Sequence, residues 1–305
     1  MLDKFEFLIA LARERHFRRA AEACGVTQPT LSAGIRALEE TLGAALVNRG
    51  SRYIGLTPEG ERVLEWARRM TGDARAMRQE VEALKRGVAG VIRLACIPTA
   101  LPVVARLCTT LTRQHPGVSF SIQSTSSKGI LSLLQDFAVD GGITYLDGDP
   151  LPQMAVTALY HEAYRLVTAD AGLFAGRRTV SWAELSGLPL CLFTPDMQNR
   201  RIVDQILAEH AVGPAAPSTE TNSSLVMAAL VSSGRWSSIM PPVLIEAIAL
   251  DPSVRSMPLV EPAVTHSVGL VVADREPMTP LVRALAAAAR KLAAEMAKTP
   301  PLSEP

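Results

Sequence analysis

The sequence predicts an α/β chain in two parts: a small N-terminal helical domain with a wing, continued by a long linker helix, and a larger domain of alternating strands and helices. Three observations carry this. A helix, a glycine turn and a second capped helix fall within residues 18–42, a heptad seam runs over residues 63–88, and strand-like and helix-like segments alternate from residue 90 onward. A chain of 305 residues has room for about two domains with a core each.

Leu2, Phe5, Leu8, Ile9 and Ala12 recur at helical spacing and predict an amphipathic first helix. A short helix over Arg18–Ala23 stops at Gly25, which takes the left-handed conformation a helix end favours. Thr27 then reads as an N-cap with Pro29 in the first turn, where its missing N–H costs nothing. The helix it opens, TLSAGIRALEETLG, puts Leu31, Ile35, Leu38 and Leu42 on one face. Helix, sharp turn, helix is the unit that lays its second helix in a DNA major groove. The segment VNRGSRYIGLTP is strand-prone, basic and glycine-containing, and reads as a wing.

Thr57 and Pro58 open the linker helix. Val63, Ala67, Met70, Ala74, Met77, Val81, Leu84 and Val88 alternate at steps of four and three, which is an a/d seam; a 3.6-residue period would drift off it over this length. Such a helix needs a partner, and a second copy of the chain is the expected one. After Gly90, strands such as VIRLACI, VSFSIQS and GGITYL interleave with helices, which predicts a mainly parallel sheet covered on both faces.

Net charge is +1 overall, with +3 in residues 1–90 and −2 in the remainder, a weak asymmetry toward nucleic acid at the N-terminus. The N-terminal apolar run is broken by charges, unlike a signal peptide, and no stretch approaches the roughly 18 apolar residues of a membrane span, so a cytoplasmic protein is expected. Cys24, Cys96, Cys108 and Cys191 form no C-x-x-C pair. They read as buried small hydrophobes, with Cys96 or Cys191 as the redox-sensing alternative.

Base reading needs polar side chains at the start of the groove helix. Gln28, Thr30 and Ser32 qualify, with Arg36 a turn further. Gln suits an adenine edge, and Pro29 and Thr30 offer carbon to a thymine methyl. Thr27 belongs to the same helix start. Arg18, Arg19, Arg49 and Arg52 suit phosphate or minor-groove contacts, which position without specifying.

The run FRRAAEACGVTQPTLSAGIRALEETLGAALVNRGSRYIGLTPEG resembles the LysR-type regulator family in its aromatic before AA, T-Q-P, L-S, I-x-x-LE, LG and LTPEG. About 60 residues match tightly, and the heptad helix and later chain match more loosely. The resemblance implies residues 1–60 as a winged helix-turn-helix, residues 61–89 as a linker and dimerisation helix, and residues 90–298 as a two-lobed, periplasmic-binding-protein-like α/β effector domain. Lobe I comprises 90–160 with 266–298, lobe II 161–265, and residues 299–305 form a disordered tail. It also implies promoter DNA as partner, a homodimer or homotetramer through linker helix and effector domain, RNA polymerase as a further candidate partner, and a small-molecule co-inducer in place of any cofactor. Ala33 and Gly34 depart from the family, which often has Arg and Gln there, removing two DNA contacts. GRWSSIMP replaces the usual G-x-G-I-x-x-L-P turn. TPDMQNRRIVD, GRWSSIMP and REPMTP further resemble regulators of formate dehydrogenase operons, which would make formate or a related small carboxylate the inducer.

Open parallel sheets bind ligands at the carboxyl ends of their strands, where helix N-termini attract anions. Pro98, Thr99 and Ala100 stand at the first such junction. Ser124, Thr125 and Ser126, continuing to Ser127, stand at the second, Thr144 at the third, Phe193 and Thr194 at the fourth, and Asn222 at the fifth. Each alone reads as a plain cap, whereas five together read as a polar cleft. No Lys or Arg is expected at these junctions, so neutral donors would hold a compact anion. An enzyme is the main rival class, but no G-x-S-x-G, Gly-rich phosphate loop or H-E-x-x-H is present and His161-Glu162 lacks a second histidine, so no catalytic or metal site is expected.

Overall fold

The computed structural model describes residues 1–49, 53–148, 150–210, 217–248 and 250–298. They fall into two compact units, Met1–Gly87 with Gln135–Ala138, and Val88–Leu134 with the chain from Val139 on. The expected disordered tail, 299–305, lies outside the described residues.

In the first unit α1 (Leu2–Glu14), α2 (Phe17–Ala23) and α3 (Gln28–Leu42) close on Leu8, Leu11, Leu31, Ile35 and Leu38. Fully burying such a side chain stabilises by about 1.5–3 kcal/mol. His16 caps α2 by accepting from Arg19 N, and Thr27 caps α3 by accepting from Thr30 N at 3.4 Å. Strands β1 (Val47–Arg49) and β2 (Tyr53–Leu56) pair antiparallel as the wing. Glu39 anchors its base, accepting from Leu46 N at 2.9 Å and Val47 N at 3.2 Å.

Thr57 caps α4 (Pro58–Arg86), accepting from Gly60 N at 2.9 Å and donating to the Ala45 carbonyl at 2.6 Å. Any Cβ on Gly60 would lie 2.0 Å from the Leu46 carbonyl oxygen, so this residue must be glycine for the helix to approach the wing. The heptad seam divides along α4. Ala67 is buried in the first unit, while Met70, Met77, Val81 and Leu84 are exposed, Leu84 at 86 %. Val88 departs from the expected seam: Gly87 ends α4, and Val88 packs instead against the core of the second unit.

The second unit begins β3 (Gly90–Cys96), α5 (Leu101–Gln114), β4 (Val118–Ser124), α6 (Ser127–Gln135), β5 (Gly141–Tyr145), β6 (Met154–Glu162). It continues β7 (Arg165–Thr168), β8 (Val180–Ser181), β9 (Leu190–Phe193), α7 (Gln198–His210), β10 (Thr219–Thr221), α8 (Ser224–Ser232), β11 (Ser237–Met240), α9 (Pro242–Ala247) and β12 (Arg255–Val260). It ends with β13 (His266–Ala273) and α10 (Pro280–Met296). One sheet has the order β4-β3-β5-β13-β6 and the other β10-β9-β11-β7-β12-β8. The chain leaves the first sheet at Glu162 and re-enters it at His266, so two strands of that sheet flank the crossings between lobes.

Both sheets are mixed, which corrects the expectation of a mainly parallel one. Strands joined through helices run parallel, as β3 does with β4 and β5 and β9 with β10 and β11. The strands that serve the crossings run against them. Thus β13 is antiparallel to β5 and β6, and β7 to β11 and β12.

Candidate effector cleft and DNA-facing surface

On the first unit Thr27, Gln28, Pro29, Thr30 and Arg36 are exposed and Ser32 is half-buried. Thr27 and Thr30 share a hydroxyl contact at 2.9 Å, and Gln28 stands exposed between them. Arg18 is exposed and pairs with Glu22 at 3.0 Å. Arg19 donates to the Glu14 carbonyl at 2.6 Å, so part of its guanidinium satisfies the end of α1. The two family departures differ in kind. Ala33 is exposed, whereas a Cβ on Gly34 would sit 2.6 Å from the Phe7 ring, so position 34 faces α1 and its glycine makes room for an aromatic. The side chain of Arg49 and the whole of Arg52 lie outside the described residues.

In the second unit the junction after β3 is a single 3-10 turn in which Pro98, Thr99 and Ala100 are all buried. Thr99 Oγ1 has no hydrogen-bond partner, and neither do Oγ1 of Thr144 and Oγ of Ser127; these three residues are 1 %, 1 % and 4 % exposed. A buried hydroxyl left unpaired costs about 1–3 kcal/mol, so each needs a water or a ligand atom to complete it, and the crevice beside Thr144 and Ser127 measures about 10 Å³. Ser127 and Thr144 line one crevice with Tyr145, Asp147 and Gln198, the last from α7 of the other lobe.

The remaining expected residues divide. Thr125 is half-buried, and Ser126 Oγ accepts from Gly129 N at 3.3 Å as a cap. Ser124 and Asn222 are exposed. Thr194 Oγ1 is buried and unpaired, as is Ser224 Oγ beyond Asn222. Phe193 is core, packed with Val167, Met197 and Met240. The expectation of no basic residue at the junctions is corrected by Arg200, which is buried in the first turn of α7. It is fully engaged, however, with Asp204, Glu220 and the Phe193 carbonyl, at 2.7, 2.7 and 2.8 Å.

The sequence reading passed over the group at the centre of the crossings. Glu162, 1 % exposed, accepts from Tyr145 Oη at a short distance, from Tyr160 Oη at 3.3 Å and from Asn199 Nδ2 at 3.5 Å. Asn199 Nδ2 also reaches Tyr145 Oη at 3.3 Å, so α7 of one lobe is tied to β5 and β6 of the other. Burial pushes the Glu162 carboxyl up to about 7, against hydrogen bonds from Tyr145, Tyr160 and Asn199 and the nearby Thr99 hydroxyl, all of which favour its ionised form. The Thr99 hydroxyl therefore faces this carboxylate without closing a bond of good geometry. At the second crossing Tyr164 Oη meets His266 Nδ1 at 3.1 Å, and burial lowers the His266 pKa. The available signal was a carboxylate at an inward, alternating position of the strand MAVTALYHE.

Among the described residues no group of three or more His, Cys, Asp or Glu could hold a metal, and no helix is long and apolar enough to cross a membrane. Burial raises all four thiols, Cys96 to about 12 and Cys108 to about 11.

Among known proteins, the hydrogen peroxide-inducible genes activator of Dickeya chrysanthemi is 27% identical over 278 residues, covering 90% of this chain and 89% of that protein. The DNA-binding transcriptional dual regulator OxyR of Escherichia coli K12 is 27% identical over 293 residues, 93% of each chain. Two solved structures share the fold. A full-length OxyR variant of Pseudomonas aeruginosa has a TM-score of 0.72 at 23% identity, covering 95% of this chain and 94% of that one. CbnR in complex with its target DNA has 0.62 at 21%, covering 96% and 99%. The formate-dehydrogenase subgroup finds no support in these relatives. Residues 2–61 match the bacterial regulatory helix-turn-helix protein of the lysR family, and residues 85–294 match the LysR substrate binding domain. The chain belongs to the LysR family of bacterial transcriptional regulators.

Proposed function

We propose that this regulator answers to a small carboxylate held between the lobes of its second unit, and reads promoter DNA through the start of α3. The observation that carries the first part is the set of buried, unpaired hydroxyls of Thr99, Thr144 and Ser127 at the ends of β3 and β5 and the start of α6. Thr144 and Ser127 have no partner among the described residues and Thr99 has only the Glu162 carboxylate near it, and such neutral donors suit a compact acceptor-rich ligand. Formate, the smallest of the class, enters as the inducer suggested by sequence resemblance. Gln28, Thr30, Ser32 and Arg36 are the proposed base-facing side chains, with Thr27 and Pro29 shaping the helix start and Arg18, Arg19, Arg49 and Arg52 the proposed backbone contacts.

A second reading follows from the relatives named for a response to hydrogen peroxide. Peroxide sensing by cysteine needs a thiolate in an electropositive, accessible place. Here desolvation raises every thiol, so the donor cluster supports the effector reading better than the cysteines support a redox one.

Thermal unfolding in the presence of formate, acetate and longer carboxylates tests the proposal. At least one should raise Tm with saturation, as a ligand bound to the native state must. Thr99→Val with Thr144→Val keeps both shapes, removes two donors, and should cut the affinity at least tenfold, roughly one hydrogen bond to a charged group. A chain whose Tm no carboxylate moves, or whose double variant binds like the parent, would refute the cleft.

A further inference from the structure

Glu162 is a buried carboxylate that, among the described residues, meets hydrogen-bond donors and no cation. Its surroundings are Tyr145 of β5, Tyr160 of β6, Tyr164 at the first crossing, Thr99 after β3 and Asn199 of α7. Beyond these, His266 of β13 bonds Tyr164, Asp147 accepts from Ser267 N at 2.6 Å, and Cys96 faces Tyr160. No Lys or Arg is among the groups that act on the Glu162 carboxyl. Glu162 is also among the residues that line a cavity of about 620 Å³, with His161, Glu246 and Arg106.

The unpaired donors stand beside this acid. Thr99 faces it, and Tyr145, its closest partner, shares a crevice with Thr144 and Ser127. An anion bound by those hydroxyls would bring a second negative charge to the buried region that Tyr145 shares with Glu162. Two such charges do not stay ionised together; one acquires a proton.

We propose that, at and above neutral pH, Glu162 takes up one proton from solvent when a small carboxylate enters the cleft, and that this residue thereby ties effector binding to pH. The inference rests on the carboxylate reading of the cleft. The balance is simple: the effector stays ionised, the Glu162 carboxylate becomes a carboxyl, and the site carries one negative charge before and after. The new O–H then has Tyr145 Oη or the effector as acceptor. A neutral ligand would draw no proton, so the linkage also distinguishes ligand classes.

Isothermal titration with sodium formate and sodium acetate, from pH 5.5 to 8.5 in two buffers of different ionisation enthalpy, tests this on the full-length protein. Above neutrality the native chain should take up close to one proton per anion bound, and Kd should weaken about tenfold per pH unit. Below pH 6 the uptake should vanish. Glu162→Gln should bind with a Kd that is flat across the range. Binding without proton uptake overturns this proposal alone, and uptake that survives in Glu162→Gln overturns the assignment to Glu162. If neither anion binds, the carboxylate reading falls and this inference falls with it. The proton count on the native chain needs no variant, so a misfolded Glu162→Gln would not shelter the idea.

Discussion

At the scale of single residues, this fold contains groups whose identity is set by what they touch. Gly60 has no room for a side chain against the Leu46 carbonyl, and Thr57 accepts from Gly60 N at the start of α4 while donating to the Ala45 carbonyl upstream. Glu162 is the opposite case, an ionisable group kept where ionisation is costly. It titrates near 4.5 when unfolded and near 7 in the fold. Between those values the folded chain binds more protons than the unfolded one, so this group's contribution to stability is full at and below pH 4.5, falls as pH rises to 7, and is flat beyond. The loss amounts to about 3 kcal/mol. In Glu162→Gln that part of the slope should disappear, leaving the variant less sensitive to pH and at least as stable as the parent above pH 7. Urea unfolding at pH 5, 6, 7 and 8 measures it, and parallel slopes for the two proteins would count against a raised carboxyl.

At the scale of elements, α3 shows how the polar and apolar halves of a helix are assigned. Leu31, Ile35 and Leu38 face the core, and Gln28, Pro29 and Arg36 face outward. If α3 enters a major groove, Gln28→Ala should lose about 1–3 kcal/mol at its preferred base pair and relax the preference there. Gel shifts over an operator panel would show it, and unaltered affinity and base preference would move the reading surface off this helix start. The three N-terminal helices, their caps and the wing were legible because their signals are local: Gly25 sits just past α2, and Thr27 and Thr57 accept from N–H groups three residues on. Strand direction in the large domain was not legible. Alternation of strands and helices predicts parallel neighbours, but β13 pairs with β6 across a chain separation that no local pattern records. For the same reason the junction hydroxyls Thr99 and Thr144 could be read from their place after apolar runs, whereas Tyr145, Glu162 and Asn199 become one cluster only when distant elements meet.

At the scale of the whole molecule, α4 carries an apolar stripe that its own chain does not cover. Met77 is 63 % exposed and Leu84 86 %, with Met70 and Val81 on the same a/d seam. Four such side chains repeating at heptad spacing on a helix of 29 residues are costly to leave in water, and knobs-into-holes packing against an identical helix removes them from it. The upstream part of the seam behaves differently. Ala67 is committed to the first unit, so pairing between chains is expected along Met70–Leu84 and not along the full run to Val88. Substituting Met77→Asp together with Leu84→Asp places like charges opposite one another across a paired helix, while in the isolated chain both positions face solvent and neither belongs to a core. A buried unpaired charge costs several kcal/mol, so the double variant should fall to monomer mass in light scattering at micromolar concentration. Its core helices should keep their far-ultraviolet dichroism. If a pair of winged domains holds two operator half-sites, affinity for a full operator should drop toward that for a half-site, since linking the two contacts multiplies them. A double variant that keeps the parent's mass would place the assembly surface elsewhere on the chain.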